Sequence, residues 1–232
     1  MKRLATFEWR SPPPTSTDEC LAIYDDGKAR LVIRRPRALM GAIGKFVTEP
    51  SADDLKLLTS FGPGPVVFEV LNQPKDAAAT ALLEVANRVS AAALAEPHAT
   101  ATFYAGPLGA VTAGKLAMSL LVVGGGTAAV AFELEPAKCT VHFSNAGQPI
   151  TWLPMPALGS GFVTPDFEGL GGLRRRAKVQ PGDYGATAFD IPTPGNATSV
   201  SIEVAGWLVE ALPDERSPKP FAVHTVEAPI PA

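Results

Sequence analysis

The chain is 232 residues long, with 20 Lys and Arg against 23 Asp and Glu, a net charge of −3. Hydrophobic residues make up 46% and charged residues 19%, enough to build a core and too apolar for a disordered chain. The charge amounts to +1 over residues 1–115 and −4 over residues 116–232, which excludes the strong positive field that non-specific nucleic-acid binding needs.

The N-terminal MKRLATFEWR starts basic, but Glu8, Trp9 and Arg10 arrive before an apolar signal-peptide segment could form. Residues 5–9 read as a strand, and the Pro-rich loop SPPPTST follows, unsuited to a central sheet. Residues 20–24 and 29–34 form a hairpin around Asp25-Asp26-Gly27-Lys28, where Gly27 can take a positive φ. Pro36 closes it, and residues 40–47 are a connection or short strand.

Two helices are expected between residues 51 and 96. Ser51 is a suitable N-cap, Asp53 and Asp54 favour the positive end of the first helix, Leu55, Leu57 and Leu58 supply its apolar stripe, and Gly62 ends it. After a strand at 66–71, a longer helix is expected over 74–95, capped by Asn72, with Pro74 in its first turn. Its apolar face is Leu82, Val85, Ala86, Val89 and Ala93.

The remainder reads as strands near 99–105, 115–123, 127–135, 138–143, 149–153, 185–191, 199–205 and 221–227. The apolar run 116–134 approaches a membrane span in length, but Gly124, Gly125 and Gly126 divide it. Two strands joined by a three-Gly loop are expected there. The fold class is therefore α+β and β-rich, with antiparallel, sandwich-like sheets. The division is residues 1–110, β hairpins plus two helices, and residues 111–232, all β, or one continuous domain. Cys20 to Leu39 and Cys139 to Leu158 have identical spacing, and each stretch holds a hairpin with a turn Gly followed by a Pro, which raises the idea of two related halves.

Chemistry-bearing motifs are scarce. Two Cys are too few for a disulfide framework, so a reduced, cytoplasmic chain is expected, with a Cys20–Cys139 bridge left open. His98, His142 and His224 occur in no metal-ligand spacing, and Cys139 and His142, three apart on a strand, point to opposite faces. No metal and no cofactor are expected. Gly159-Ser160-Gly161 falls short of a nucleophile elbow, and the Gly-rich runs lack the helix of a phosphate loop. The carboxylate pairs at 25–26, 53–54 and 214–215 are explained by a turn, a helix cap and a loop.

What remains are two basic clusters, Arg34, Arg35 and Arg37, and Arg174, Arg175 and Arg176. Arg forks suit carboxylates on a partner. The expectation is a soluble intracellular protein without catalytic activity that uses these arginines to bind another protein bearing an acidic patch, in an interaction, immunity or accessory role. Neither nucleic acid nor membrane is an expected partner. The alternative is a small-ligand binder or enzyme with a pocket between the halves, drawing on Cys20, Cys139, His142 and Ser160. A self-assembling structural subunit is the third reading.

Overall fold

A computed structural model of the chain describes residues 1–10, 18–36, 42–62, 64–70, 76–154, 176–209, 212–214 and 217–232. The fold is β-rich α+β, with two helices and antiparallel sheets in three layers: helices, sheet A and sheet B.

Sheet A has eight strands. Its first half is β1 (Arg3–Arg10), β2 (Asp18–Tyr24), β3 (Ala29–Arg35), β4 (Ala42–Thr48) and β5 (Val66–Glu69). Its second half is β6 (Pro97–Pro107), β7 (Lys115–Gly126) and β12 (Tyr184–Pro192). The order is β12-β7-β6-β4-β3-β2-β1-β5, antiparallel except for the parallel pair of β1 with β5. The central strands are apolar on both faces because both faces are covered. Leu21, Ile23, Leu31 and Ile33 face the helices, whereas Cys20, Ala22, Tyr24 and Val32 face sheet B.

Helix α1 (Ala52–Ser60) starts as expected at Ser51. The Ser51 hydroxyl accepts the Asp54 N–H at 3.1 Å, and the Asp54 carboxylate accepts the Ser51 N–H at 3.2 Å, a reciprocal cap. Of its expected stripe, Leu58 is buried and Leu55 and Leu57 are half-buried. Helix α2 (Ala77–Leu94) buries all five expected apolar residues and Ser90. Its cap differs from the sequence reading. Asp76, which accepts the Ala79 N–H at 2.7 Å, takes the place given to Asn72; Asn72 and Pro74 lie outside the described residues.

Asp54 also ties the helices together, for Arg88 of α2 donates to its carboxylate. Burial alone would raise the Asp54 pKa, but the hydrogen bonds from Arg88 and Ser51 outweigh it and hold the carboxyl below the usual range. Asp214 is similar: burial opposes ionisation, and hydrogen bonds from Arg3 (2.6 and 2.9 Å) and Tyr24 (2.6 Å) prevail. The stability these carboxylates contribute is complete above about pH 4, the unfolded-state value, and is lost as pH falls toward their folded-state values. Asp54→Ala is expected to cost about 1–2 kcal/mol, a lost cap and a lost charge-assisted bond. Urea titrations at pH 7 and pH 3.5 check this: the difference between wild type and variant should narrow at the lower pH, and an equal difference at both would refute the role of ionised Asp54.

Sheet B contains β8 (Val130–Leu134), β9 (Thr140–Asn145), β10 (Gln148–Pro154), β11 (Arg176–Val179), β13 (Ser199–Leu208), β14 (Lys219–His224) and β15 (Ala228–Pro229). Strand β13 organises it. Gly206 pairs with both Leu134 and Phe221, and Glu203 with both Thr140 and His224, so β8 and β9 follow one another along one side and β14 lies along the other. A 3-10 turn, Pro136–Lys138, separates β8 from β9. Alternation sends Val141, Phe143, Ile202, Val204 and Val223 inward against sheet A. Phe103 of sheet A meets Phe132 and Phe221 of sheet B there, with ring centroids 5.5 and 6.0 Å away.

The run 116–134 corrects the sequence reading at one point. It does contain two strands, but the glycines are not their loop. Strand β7 continues through Gly126, and β8 belongs to the other sheet. The reason is close backbone approach: a Cβ on Gly124 would lie 2.1 Å from the Gln180 carbonyl oxygen, and one on Gly126 would lie 2.4 Å from that of His98. Among the described residues, no helix is long and apolar enough to cross a membrane. The two spaced hairpins noted in the sequence are β2–β3 in sheet A and β9–β10 in sheet B, and each turns at a positive-φ glycine, Gly27 and Gly147.

Candidate functional site

Strands β9, β13 and β14 lie side by side, with their apolar residues turned inward. The intervening positions therefore face away from sheet A. Ser201 pairs with His142 across β13 and β9, and Glu203 pairs with His224 across β13 and β14. Two imidazoles and a carboxylate converge as a result. Glu203 Oε2 is 3.4 Å from His224 Nε2 and 3.9 Å from His142 Nε2. The two rings meet edge to face with centroids 5.5 Å apart. One possible donor atom from each residue lies within 4.8 Å of the other two.

The surroundings fix this group without enclosing it. Thr140 Oγ1 is 2.8 Å from His142 Nε2. The side chains of His142, Glu203 and His224 are 37%, 30% and 52% exposed. Burial lowers the His142 pKa, His224 beside it lowers it further, and Glu203 opposes both, leaving it below the ordinary imidazole value.

A cleft of about 300 Å³ opens beside the cluster. His142, His224 and Ser201 line one side, Pro149 and Ile150 of β10 form an apolar wall, and Glu227 stands at the rim. Glu227 accepts hydrogen bonds from Ser144 and from Ser199, the latter at 2.6 Å, and these lower its pKa. The cleft thus combines one carboxylate, Glu227, two imidazoles and an apolar wall, with Glu203 beside the imidazoles but outside the lining. It suits a cation or a hydroxyl-bearing molecule and disfavours an anion.

The structure distributes the sequence-derived candidates differently. Arg34 is buried, and its guanidinium is 2.7 Å from the Asp18 carboxylate, so its charge is neutralised within sheet A. Arg35 is half-buried at the end of β3, and Arg176 opens β11 at an edge of sheet B. Arg37, Arg174 and Arg175 lie outside the described residues, as does Ser160. Cys20 and Cys139 form no disulfide and are buried thiols within the core between the sheets. Burial raises the Cys139 pKa, while the Ala205 N–H, donating to its sulfur at 3.3 Å, opposes that rise. Cys139 faces inward and His142 outward, the opposed orientation that the strand spacing predicts. The Cys20, Cys139 and His142 set therefore does not converge. Glu203 and Glu227 were missed by the sequence reading, and His224 was set aside for want of metal-ligand spacing, because their association depends on pairing between strands distant in the chain.

No family model and no curated protein matches this chain. Among solved structures, the chain is similar to a Bordetella pertussis protein crystallised as ApaA, at 10% identity over 59% of this chain and 96% of that one, with a TM-score of 0.34. It is also similar to the penta-heme cytochrome c552 of Thermochromatium tepidum, at 10% identity over 55% of this chain and 39% of that one, with a TM-score of 0.27. Likenesses this slight carry no argument about function.

Proposed function

We propose that this chain is a small-ligand-binding protein whose site is the cleft on the outer face of sheet B. One observation carries the reading: His142, His224, Ser201 and Glu227 line a common cleft whose other wall is apolar. A few convergent polar groups against an apolar wall is the usual composition of a ligand site, and this volume lies at the small end of the range. The Glu227 carboxylate in the cleft, with Glu203 beside its two imidazoles, sets the class as amines or polyols. The cleft lies outside the sandwich, because the space between the sheets is filled by packed side chains. A protein partner held by arginines is the weaker reading, since Arg34 is already engaged with Asp18.

Thermal melts against amines, polyols and carboxylic acids test the proposal. A ligand at about 100 times its Kd adds about 2.7 kcal/mol, a Tm rise of roughly 5–10 °C for a chain of this size. The rise is expected with an amine or polyol, and Ser201→Trp, which fills the cleft, should abolish it without lowering the ligand-free Tm. A rise that survives Ser201→Trp, or a panel without any rise, overturns the assignment.

A further inference from the structure

We infer that His142, Glu203 and His224 form a binding site for a divalent first-row transition-metal ion such as zinc, nickel or cobalt. The inference rests on the reading of this cleft as a ligand site and names a cationic occupant for it. Three features of the arrangement lead there.

The first is donor type. Two imidazole nitrogens and one carboxylate oxygen form a set suited to these ions, whereas magnesium and calcium prefer oxygen alone. The second is spacing. Donors at about 2.0–2.2 Å from a tetrahedral ion are roughly 3.3–3.6 Å apart. His224 Nε2 and Glu203 Oε2 already stand at 3.4 Å, and His142 Nε2 stands at 3.9 Å from the same oxygen. The three donor atoms lie within 4.8 Å of one another, and side-chain rotation of the exposed His224 and the half-buried His142 and Glu203 closes the remaining distance.

The third is support. Each donor projects from a different strand, and the three strands are adjacent and hydrogen-bonded through Glu203 of β13. Such a frame holds the donor positions before any ion arrives, which limits the ordering entropy that binding must overcome. An ion at His142 Nε2 takes the place of the Thr140 hydroxyl, which now approaches that nitrogen. Three protein donors also leave a coordination position open, toward the cleft, where an amine or hydroxyl of a second ligand can bind the metal directly.

The third histidine supplies the control. His98 is exposed in β6 of sheet A and is 3.1 Å from the Thr127 hydroxyl, away from the cluster. The experiment uses the full chain without an affinity tag, stripped with chelator and titrated calorimetrically with zinc, nickel, cobalt and magnesium. One transition-metal ion per chain and no measurable magnesium binding are expected. His224→Ala and Glu203→Gln should each weaken zinc binding at least tenfold, while His98→Ala leaves it unchanged. Both altered side chains are solvent-facing, and melting curves verify that the variants fold. Absence of zinc binding, or binding indifferent to His224→Ala and Glu203→Gln, overturns the metal site. If the metals fail while an amine or polyol still gives a shift abolished by Ser201→Trp, the ligand cleft stands without the metal. If both fail, the cleft is not a site of either kind.

Discussion

Gly44→Ala is expected to destabilise the protein by about 3 kcal/mol or more, enough to lower its Tm by roughly 6–12 °C. Gly44 sits within β4, in the middle of sheet A, with φ at 141°. A Cβ there would stand 2.3 Å from the Ala99 carbonyl oxygen and 2.7 Å from the Thr100 Cα. Both atoms belong to the backbone of β6, which is hydrogen-bonded to β4 and to β7, so neither can give way without breaking the ladder. Backbone strain and steric overlap therefore add. Gly147 is the comparison. Its φ of 77° is also positive, but a Cβ there meets nothing within 4 Å, and Gly147→Ala should cost only about 1 kcal/mol. Equal Tm changes for the two variants would show that the close approach of β4 to β6 is not what requires glycine.

Phe103→Ala is expected to cost about 3–5 kcal/mol, the range for removing a buried aromatic ring. Phe103 is 1% exposed and links the two sheets, lying edge-on to Phe132 at 72° and stacked with Phe221 at 22°. The opposing rings cannot both relax into the space, because Phe132 and Phe221 already contact one another at 6.2 Å. Urea denaturation should show a lower midpoint with an unchanged slope, the sign that stability alone has changed. A double-mutant cycle of Phe103→Leu with Phe132→Leu should return a coupling of about 0.5–1.5 kcal/mol. A loss below about 1 kcal/mol for Phe103→Ala would mean that the sheets do not depend on this ring.

Much of the architecture is legible in the residues themselves. Ser51 with Asp54 announces the start of α1, and the spacing of Leu82, Val85, Ala86, Val89 and Ala93 marks the face of α2 that becomes buried. The alternation around Val141 and Phe143 places His142 on the outer face of its strand. What local pattern does not carry is which strands become neighbours. The Gly124–Gly126 triplet resembles a loop because glycine serves turns and close backbone contacts equally well, and its function here depends on Gln180 and His98. Arg34 looks like a free cation at a strand end until the sheet closes around it and Asp18. The candidate site suffers the same limit. His142, Glu203 and His224 occupy strands far apart in the chain, and only the register of β13 with both neighbours unites them. The available local signal was that each lies beside inward-facing apolar residues, as in Val-His-Phe and Ile-Glu-Val.

The central position of β13 governs the order in which the nascent protein can take shape. By the time Gly126 leaves the ribosome, every strand of sheet A except β12 has been made, and a layered unit with both helices can assemble during synthesis. Sheet B cannot follow by the same route. Strands β8 and β9 emerge long before Ser199–Leu208, the segment that pairs with both, so Val141 and Phe143 gain β10 at once but must wait for β13 on their other side while the intervening chain is translated. That interval is the period of greatest exposure to misassociation, since late non-local pairing is slow and leaves apolar strands open. Rapid translation of the chain between β9 and β13 would shorten the danger, whereas a pause before β13 would prolong it.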